Sequence, residues 1–215
     1  MNKWAVLAAL VMVLLLSYGA DSSPADVQRH DAFVPGIYDL PKAVGGKVTG
    51  GPFSLTDHLG RPASDTDFRG QFMLIYFGYM SCPDVCPKGL QVVTEAMDVL
   101  GPAAGRVQPL FITFDPDRDT VALLADFVDN FHPRLLGLTG TKEQTLAAAN
   151  SYDVDVSATY AAGNNLDYSM NHSAFTYLSG PDGQLRMMFR DGIDGKTMAS
   201  FIINVMNKET RSPTW

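Results

Sequence analysis

A continuous apolar and aromatic run, FMLIYFGY (Phe72 to Tyr79), constrains the fold of this chain more than any other feature. It shows no alternation of apolar and polar residues, and it therefore predicts a strand that is buried on both faces of a sheet. The segment that follows carries one apolar helical stripe, formed by Leu90, Val93, Met97 and Leu100. A buried strand followed by an amphipathic helix is the first half of a βαβ unit.

The same rhythm continues along the chain. A second buried strand is predicted at Val107 to Phe114, followed by a helix at about Val121 to Asn130, a short strand at LLGLTG and an Ala-rich helix from Thr141 to Asn150. The tail predicts a hairpin around Gly180-Pro181-Asp182-Gly183 and a final helix from Gly195 to Met206. Upstream, GPFSLTDHLGRPASD predicts an edge hairpin. Strands that alternate with helices predict an α/β fold with a parallel sheet.

Composition limits the function classes. With 215 residues, 46% hydrophobic and 18% charged, the chain fits one globular domain with an appendage. A net charge of −7 and the lack of any basic stripe exclude nucleic acid as a partner.

The N-terminus, MNKWAVLAALVMVLLLSYGADSSP, has an apolar run from Trp4 to Leu16 behind Lys3. It predicts either a cleaved signal peptide or a membrane anchor with Lys3 on the cytoplasmic side. We accordingly divide the chain into a signal or anchor at 1–20, a polar tether at 21–48 and a folded domain at 49–215. The predicted location is the bacterial inner membrane, with a single N-terminal anchor and the soluble domain in the periplasm.

The loop GYMSCPDVCPK holds both cysteines of the chain, Cys82 and Cys86. Three interpretations compete: a structural disulfide, a redox pair, and two ligands of a metal site. A disulfide across five residues would constrain the unfolded chain by about 2 kcal/mol, against about 4.7 kcal/mol for a 100-residue loop. The structural disulfide is therefore disfavoured, and redox chemistry and metal binding both stay open.

Proline positions predict where the next helix begins. Pro87 cannot lie inside a helix that starts at Pro83, so we predict a helix that begins at Pro87 with Cys86 as its cap. Both thiols would then lie near the positive end of a helix dipole, which lowers a thiol pKa. The positive charge of Lys88 would lower the thiol pKa further, whereas the negative charge of Asp84 would raise it.

Two thiolates suit copper or zinc, but a metal site needs further ligands. Among the four histidines, His172 stands immediately before an apolar strand predicted for the same sheet, so it can face the edge that carries the cysteine loop. The other three are interpreted as solvated or capping residues: His30 in the tether, His58 in the hairpin turn and His132 at a helix end.

Five segments occur in order across about residues 50 to 205: GGPFSLTDHLGRP, DFRGQFMLIYFGYMSCPDVCPKGL, PLFITFDPDRDT, FHPRLLGLTGT and NHSAFTYLSGPDG. With them the chain resembles the Sco/SenC/PrrC family of copper chaperones. The resemblance implies a thioredoxin-like sheet flanked by helices, preceded by a membrane anchor. It also implies one copper ion per domain, Cu(I) or Cu(II), bound by Cys82, Cys86 and His172.

The resemblance further implies a role in building the dinuclear copper A centre of cytochrome c oxidase. The expected partner is the oxidase subunit that carries this site, with another periplasmic copper carrier or a thiol reductant as further partners. The inner membrane is contacted through the N-terminal segment.

Two alternatives to delivery stay open: a thiol-disulfide reductase in which Cys82 and Cys86 form the redox pair, and a redox or copper sensor. Thioredoxin-like redox enzymes carry a cis-proline opposite their cysteines, whereas Ser169 to Ala174 contains no proline, which favours metal binding. A peroxidase is disfavoured because Pro-x-x-x-Thr-x-x-Cys is missing before Cys82. The leading interpretation is a chaperone and not an enzyme.

Three neighbours of the predicted ligands need an interpretation. Asn171 stands before His172 where the family pattern has aspartate, and ligation is expected to survive because an amide still forms hydrogen bonds. Met80 and Met170 are interpreted as gap-filling residues, with a transient fourth copper contact as the alternative.

An acidic run, Asp115, Asp117 and Asp119, follows the second buried strand. We interpret it as a turn that caps the next helix, and the alternative is an acidic rim for docking a partner.

Overall fold

The computed structural model describes the backbone of residues 37–39, 50–161, 164–172 and 175–211, and the side chains within 50–157 and 175–210. Within these ranges we find no helix whose length and apolarity would let it cross a membrane. The predicted signal or anchor at 1–20 lies outside the described residues, as does His30.

Ten strands and four α-helices make up the described part of the chain. The strands are β1 (Ile37–Asp39), β2 (Ser54–Asp57), β3 (Pro62–Ser64), β4 (Phe72–Gly78), β5 (Val107–Thr113), β6 (Leu136–Thr139), β7 (Val156–Ala161), β8 (Asn164–His172), β9 (Phe175–Ser179) and β10 (Leu185–Arg190). The helices are α1 (Val85–Leu100), α2 (Val121–Val128), α3 (Lys142–Ser151) and α4 (Gly195–Arg211). Short 3₁₀ helices cover Asp65–Phe68 and Gly101–Arg106.

Eight of these strands form one mixed sheet in the order β1-β10-β9-β4-β5-β6-β2-β3. The central strands β4, β5 and β6 run parallel, as the alternation of strands and helices predicts. The flanking strands β9 and β2 run antiparallel to their central neighbours, so the sheet is not purely parallel. The predicted edge hairpin is confirmed as β2 and β3, and the predicted tail hairpin as β9 and β10.

The central strand β4 is buried along its whole length, which confirms the prediction from its apolar run. Its side chains alternate between two cores. Phe72 and Leu74 pack with residues of α1 and α4, whereas Ile75 and Phe77 belong to the core on the opposite face. Because both faces of β4 are packed, the end of this strand is held in place, and the cysteine loop that follows it starts from a fixed point.

Helix α1 begins at Val85, not at Pro87, so the predicted helix start is wrong. Asp84 is the N-cap residue, and Cys86 and Pro87 are the second and third helical residues. Proline is tolerated there because the first-turn N–H groups have no acceptor within the helix, and the residue four positions before Pro87 lies outside it. The apolar stripe of α1 is buried as predicted.

Strands β7 and β8 form a separate two-stranded antiparallel hairpin that the sequence did not predict. Within it, Val156 pairs with His172. Strand β1 also lies within the segment predicted as tether, and it pairs with β10 at the edge of the main sheet.

Candidate functional site

Three chain segments that are distant in sequence meet at the edge of the main sheet formed by the carboxyl ends of the parallel strands β4 and β5. Strand β4 ends there at Gly78, whose carbonyl accepts a hydrogen bond from the Phe114 N–H at 3.1 Å, just after β5. Strand β9 runs antiparallel to β4, with Thr176 opposite Tyr76, so β9 begins at the edge where β4 ends. The cysteine loop, the β5–α2 loop and the entry to β9 are therefore brought to one edge.

Cys82 lies in the loop between β4 and α1, and its side chain is 9% exposed. Burial alone would raise the pKa of its thiol, but the N–H groups of Asp84, Cys86 and Val85 point at the sulfur and hold the pKa below its usual value. The Cys86 N–H is 3.4 Å from the Cys82 Sγ atom. These N–H groups belong to the start of α1, where backbone donors lack helical acceptors. The thiolate of Cys82 is thus stabilised by backbone dipoles.

Cys86 lies in the first turn of α1 and is completely buried. Burial raises the pKa of its thiol well above the usual value; a hydrogen bond from the Tyr79 backbone opposes this, and the Cys82 sulfur adds to it. Cys82 and Cys86 are not joined by a disulfide in the described structure. The prediction of a lowered pKa for both thiols is therefore confirmed for Cys82 and wrong for Cys86, because desolvation outweighs the helix terminus there.

The charges next to the cysteines neutralise one another. The Lys88 ammonium lies 2.6 Å from the Asp84 carboxylate, and both side chains are well exposed. Lys88 and Asp84, for which the sequence predicts opposite effects on the thiol pKa, thus form one ion pair at the surface. An exposed pair of this kind has a weak effect on a buried sulfur because solvent screens it.

A buried carboxylate ties the cysteine loop to the rest of the sheet edge. Asp119 is 1% exposed, and its Oδ2 accepts hydrogen bonds from the Met80 N–H at 3.0 Å and the Thr113 hydroxyl at 2.5 Å. Burial raises the pKa of Asp119, although these two donors oppose the increase. Met80 lies two residues before Cys82, so this carboxylate fixes the backbone that leads into the dithiol loop.

The acidic-rim interpretation is wrong for Asp115 and Asp119, whereas Asp117 is exposed. Asp115 and Asp119 are buried, and Asp115 pairs with Arg118 at 2.5 Å. The turn interpretation is confirmed, but the N-cap of α2 is Thr120, not an aspartate. Sequence reasoning missed the role of Asp119 because one of its two partners, Met80, lies 39 positions upstream.

The side chain of Met80 is partly buried and packs against the core, which confirms its gap-filling interpretation. The other histidines with described side chains have structural contacts, as predicted. His58 Nδ1 accepts from the Gly137 N–H at 3.2 Å, and His132 Nδ1 accepts from the Arg134 N–H at 3.1 Å.

His172 is the last residue of β8, and β9 begins three residues later at the edge described above. Its side chain, like those of Asn171 and Met170, lies outside the described residues, so its role as a ligand stays a prediction. Among the described side chains, no three of the histidine, cysteine, aspartate and glutamate residues cluster as a metal site would require. Of the three predicted ligands, the structure describes the side chains of Cys82 and Cys86.

The fold and this loop define an α/β protein of the thioredoxin type with a dithiol at the carboxyl edge of its central strand. The chain belongs to the SCO1/SenC family, whose model matches residues 41–207. One curated relative, the mitochondrial SCO2 homolog of Bos taurus, is 49% identical over 138 residues, which are 62% of this chain and 50% of the relative. The chain thus spans half the length of that relative.

Two solved structures are similar over most of the chain. Arabidopsis thaliana ScoI with copper bound has a TM-score of 0.69 and 33% identity, covering 74% of this chain and 98% of that one. Yeast Sco1 with copper bound has a TM-score of 0.69 and 36% identity, covering 77% and 94%. These structures confirm the predicted thioredoxin-like class of fold.

The predicted location in a bacterial inner membrane is contradicted by the curated relatives, several of which are named as mitochondrial proteins. The prediction rested on the apolar N-terminal run. Such a run indicates export or membrane insertion, but it carries no information about which membrane is involved.

Proposed function

We propose that this chain is a copper metallochaperone that holds one copper ion, Cu(I) or Cu(II), between Cys82, Cys86 and His172. The observation that carries the proposal is the dithiol itself: one sulfur in the loop after β4 and one in the first turn of α1, at the sheet edge where the strand after His172 begins. The two relatives with copper bound, each more than 30% identical to this chain, support the choice of metal.

The donor set suits a soft metal that must later be released. Thiolates favour Cu(I), and imidazole suits either oxidation state. Cys82 gives up its proton readily because backbone N–H groups stabilise its thiolate. Cys86 keeps its proton until a metal replaces it, so copper capture releases a proton there. With three protein ligands, a position stays open for a ligand of the receiving protein.

The recipient we propose is the cytochrome c oxidase subunit that carries the dinuclear copper A centre. The membership of the chain in the SCO1/SenC family supports this partner. Another copper carrier upstream, or a reductant that keeps Cys82 and Cys86 in the thiol form, completes the proposed set of partners.

A Cu(I) competition titration tests the copper site. Cys82→Ser, Cys86→Ser and His172→Ala should each weaken binding by roughly a hundredfold or more, since even outer-shell changes at metal sites cost about 10- to 100-fold. Met80→Leu is the matched control, because it removes a nearby soft sulfur that packs in the core. Wild-type affinity in all three ligand variants would overturn the proposal.

A second candidate function is supported by the asymmetry of the two thiols. Cys82 has a lowered pKa and some exposure, whereas Cys86 has a raised pKa and none. An attacking thiolate beside a buried resolving thiol is the arrangement of a disulfide reductase. Its test is the rate of exchange with an oxidised peptide that carries the two cysteines of a copper A loop. A rapid rate that His172→Ala leaves unchanged would favour the reductase.

We also propose the division of the chain into a signal or anchor at 1–20, a tether at 21–48 whose strand β1 pairs with β10 of the main sheet, and the copper-binding domain at 49–215. The apolar run from Trp4 to Leu16 supports the first boundary. Membrane extraction at alkaline pH should retain the full chain if the segment is an anchor. N-terminal sequencing that begins near Ala20 would instead show cleavage.

A further inference from the structure

Asp119 is a buried carboxylate outside the proposed ligand set, and its own position is fixed by two strands of the main sheet. Its backbone carbonyl accepts a hydrogen bond from the Thr139 hydroxyl, at the end of β6, at 3.1 Å. Its Oδ2 atom accepts one from the Thr113 hydroxyl, at the end of β5, at 2.5 Å. The Asp119 N–H donates to the Asp115 carbonyl at 2.9 Å, which closes the turn between them. The carboxylate is therefore held at the sheet edge by contacts that do not involve the cysteine loop.

The cysteine loop, residues 79 to 84 between β4 and α1, is attached to this carboxylate. The Met80 N–H, near the start of the loop, donates to Asp119 Oδ2 at 3.0 Å. Within the loop, the Cys82 N–H donates to the Tyr79 carbonyl at 3.3 Å, so the backbone at Cys82 turns back on the residue next to Met80. Asp119 thus fixes the part of the backbone that carries the Cys82 side chain.

A loop that is fixed before the metal arrives favours metal binding. Ordering the backbone has an entropic cost, and this cost lowers affinity when it falls on the binding step. A loop that is already ordered in the metal-free protein incurs the cost during folding instead. The hydrogen bond between the Met80 N–H and Asp119 has this effect at Cys82, because it joins the loop to a carboxylate that β5 and β6 hold in place.

We propose that Asp119 is a positioning residue for Cys82: through the Met80 N–H it holds the cysteine loop in the copper-binding conformation before the metal arrives. The effect on copper affinity rests on the proposed function. The order of the loop in the metal-free protein does not.

Cu(I) competition titrations of two variants test the effect on affinity. Asp119→Ala removes the acceptor of the Met80 N–H, and it should lower affinity roughly tenfold, as changes behind the ligands of a metal site typically do. Asp119→Asn keeps a side-chain oxygen that can accept from the same N–H, so it should restore most of the affinity.

Asp65→Ala is the matched control. Asp65 is also a buried carboxylate, 5% exposed, and its Oδ1 accepts a hydrogen bond from the Phe53 N–H at 3.3 Å. It lies in the segment before β4, whereas the cysteine loop follows β4. Asp65→Ala should therefore lower stability in urea and leave copper affinity unchanged. Equal losses of affinity in Asp65→Ala and Asp119→Ala would overturn the inference, because general destabilisation would then explain both.

The thiolate-to-Cu(II) charge-transfer absorption is a readout that a loss of stability alone would not move. Residues behind the ligands orient them toward the metal, so a displaced Cys82 sulfur should change the energy and intensity of this absorption. Asp119→Ala should shift it, Asp119→Asn should restore it, and Asp65→Ala should leave it unchanged. A folded Asp119→Ala protein with wild-type affinity and absorption would overturn the inference.

Amide hydrogen exchange of the metal-free wild-type protein tests the order of the loop without any variant, and so decides the question if Asp119→Ala fails to fold. The Met80 N–H should exchange roughly tenfold or more slowly than that of an unstructured peptide, because its acceptor is buried and fixed. A Met80 N–H that exchanges freely until copper is added would overturn the inference. A wild-type protein without copper affinity would overturn the proposed function instead, and the exchange rate would then decide alone whether Asp119 fixes the loop.

Discussion

Cys82 and Cys86 lie only four positions apart, but the two regions that hold them shift the pKa of the thiol in opposite directions. The loop that holds Cys82 points several backbone N–H groups at its sulfur, so the pKa of this thiol falls despite burial. The first turn of α1 places Cys86 against the core, where burial raises its pKa. The comparison shows that a helix N-terminus lowers a thiol pKa only where backbone donors reach the sulfur and desolvation does not outweigh them.

Alkylation of the metal-free protein should show the largest difference between the two regions. At neutral pH we expect iodoacetamide to modify Cys82 at least about a hundredfold faster than Cys86, because each unit of pKa changes the thiolate fraction tenfold and Cys86 is also fully buried. Peptide mass spectrometry at a series of times measures both rates. Equal rates would break the comparison, and they would place both thiols in one environment.

Asp119→Ala should weaken the region that holds Cys82 more than the region that holds Cys86. It leaves the Met80 N–H without its buried acceptor, which costs about 2 kcal/mol in the free energy of unfolding. Urea denaturation measures this loss. In the folded variant, the alkylation rate of Cys82 should change while Cys86 stays protected by the core. A rise at Cys86 alone would show that the carboxylate supports the helix and not the loop.

Asp119→Asn keeps the shape of the side chain and gives a smaller, pH-dependent effect. Because the folded pKa of Asp119 is raised, its contribution to stability is fully present below the ordinary carboxyl pKa, about 4, and is lost as pH rises through the folded value. The wild-type protein should therefore lose stability relative to Asp119→Asn as pH rises above 4. Urea denaturation of both proteins at several pH values measures the difference. A difference independent of pH would show that burial does not perturb this carboxylate.

Lys88→Gln should have the smallest effect. It breaks the exposed ion pair with Asp84, whose charges are screened by solvent, so the alkylation rate of Cys82 should change by less than about twofold. The same assay at low and at high salt provides the control. A larger change at low salt would mean that surface charge, and not backbone donors, sets the acidity of Cys82.

The parts of the fold that the sequence predicted are those in which burial leaves a local pattern. The apolar run of β4 and the stripe of α1 each follow from neighbouring residues, and each is confirmed. The β7–β8 hairpin was missed because NNLDYSMNH is polar and lacks a regular alternation of apolar residues. Strand β8 pairs with β7 through backbone hydrogen bonds, which depend little on side-chain type.

The candidate site was predicted by residue type but not by environment. Cysteine spacing and proline positions identified the dithiol, whereas the opposite acidities of its thiols depend on burial against the core. The contact of Asp119 with Met80 joins residues that no local periodicity relates. Such contacts follow from the pairing of β4 with β5, and they become visible only once the sheet is built.

The convergence of distant segments at one sheet edge determines whether folding or copper binding comes first. In an unfolded chain Cys82 and Cys86 stay neighbours, but His172 lies 86 positions beyond Cys86, and closing that loop carries an entropic cost. On the proposed ligand set, the complete site therefore exists only after β9 has paired with β4. Copper binding and folding are then thermodynamically coupled, because in the unfolded chain only two of the three proposed ligands, Cys82 and Cys86, are close together.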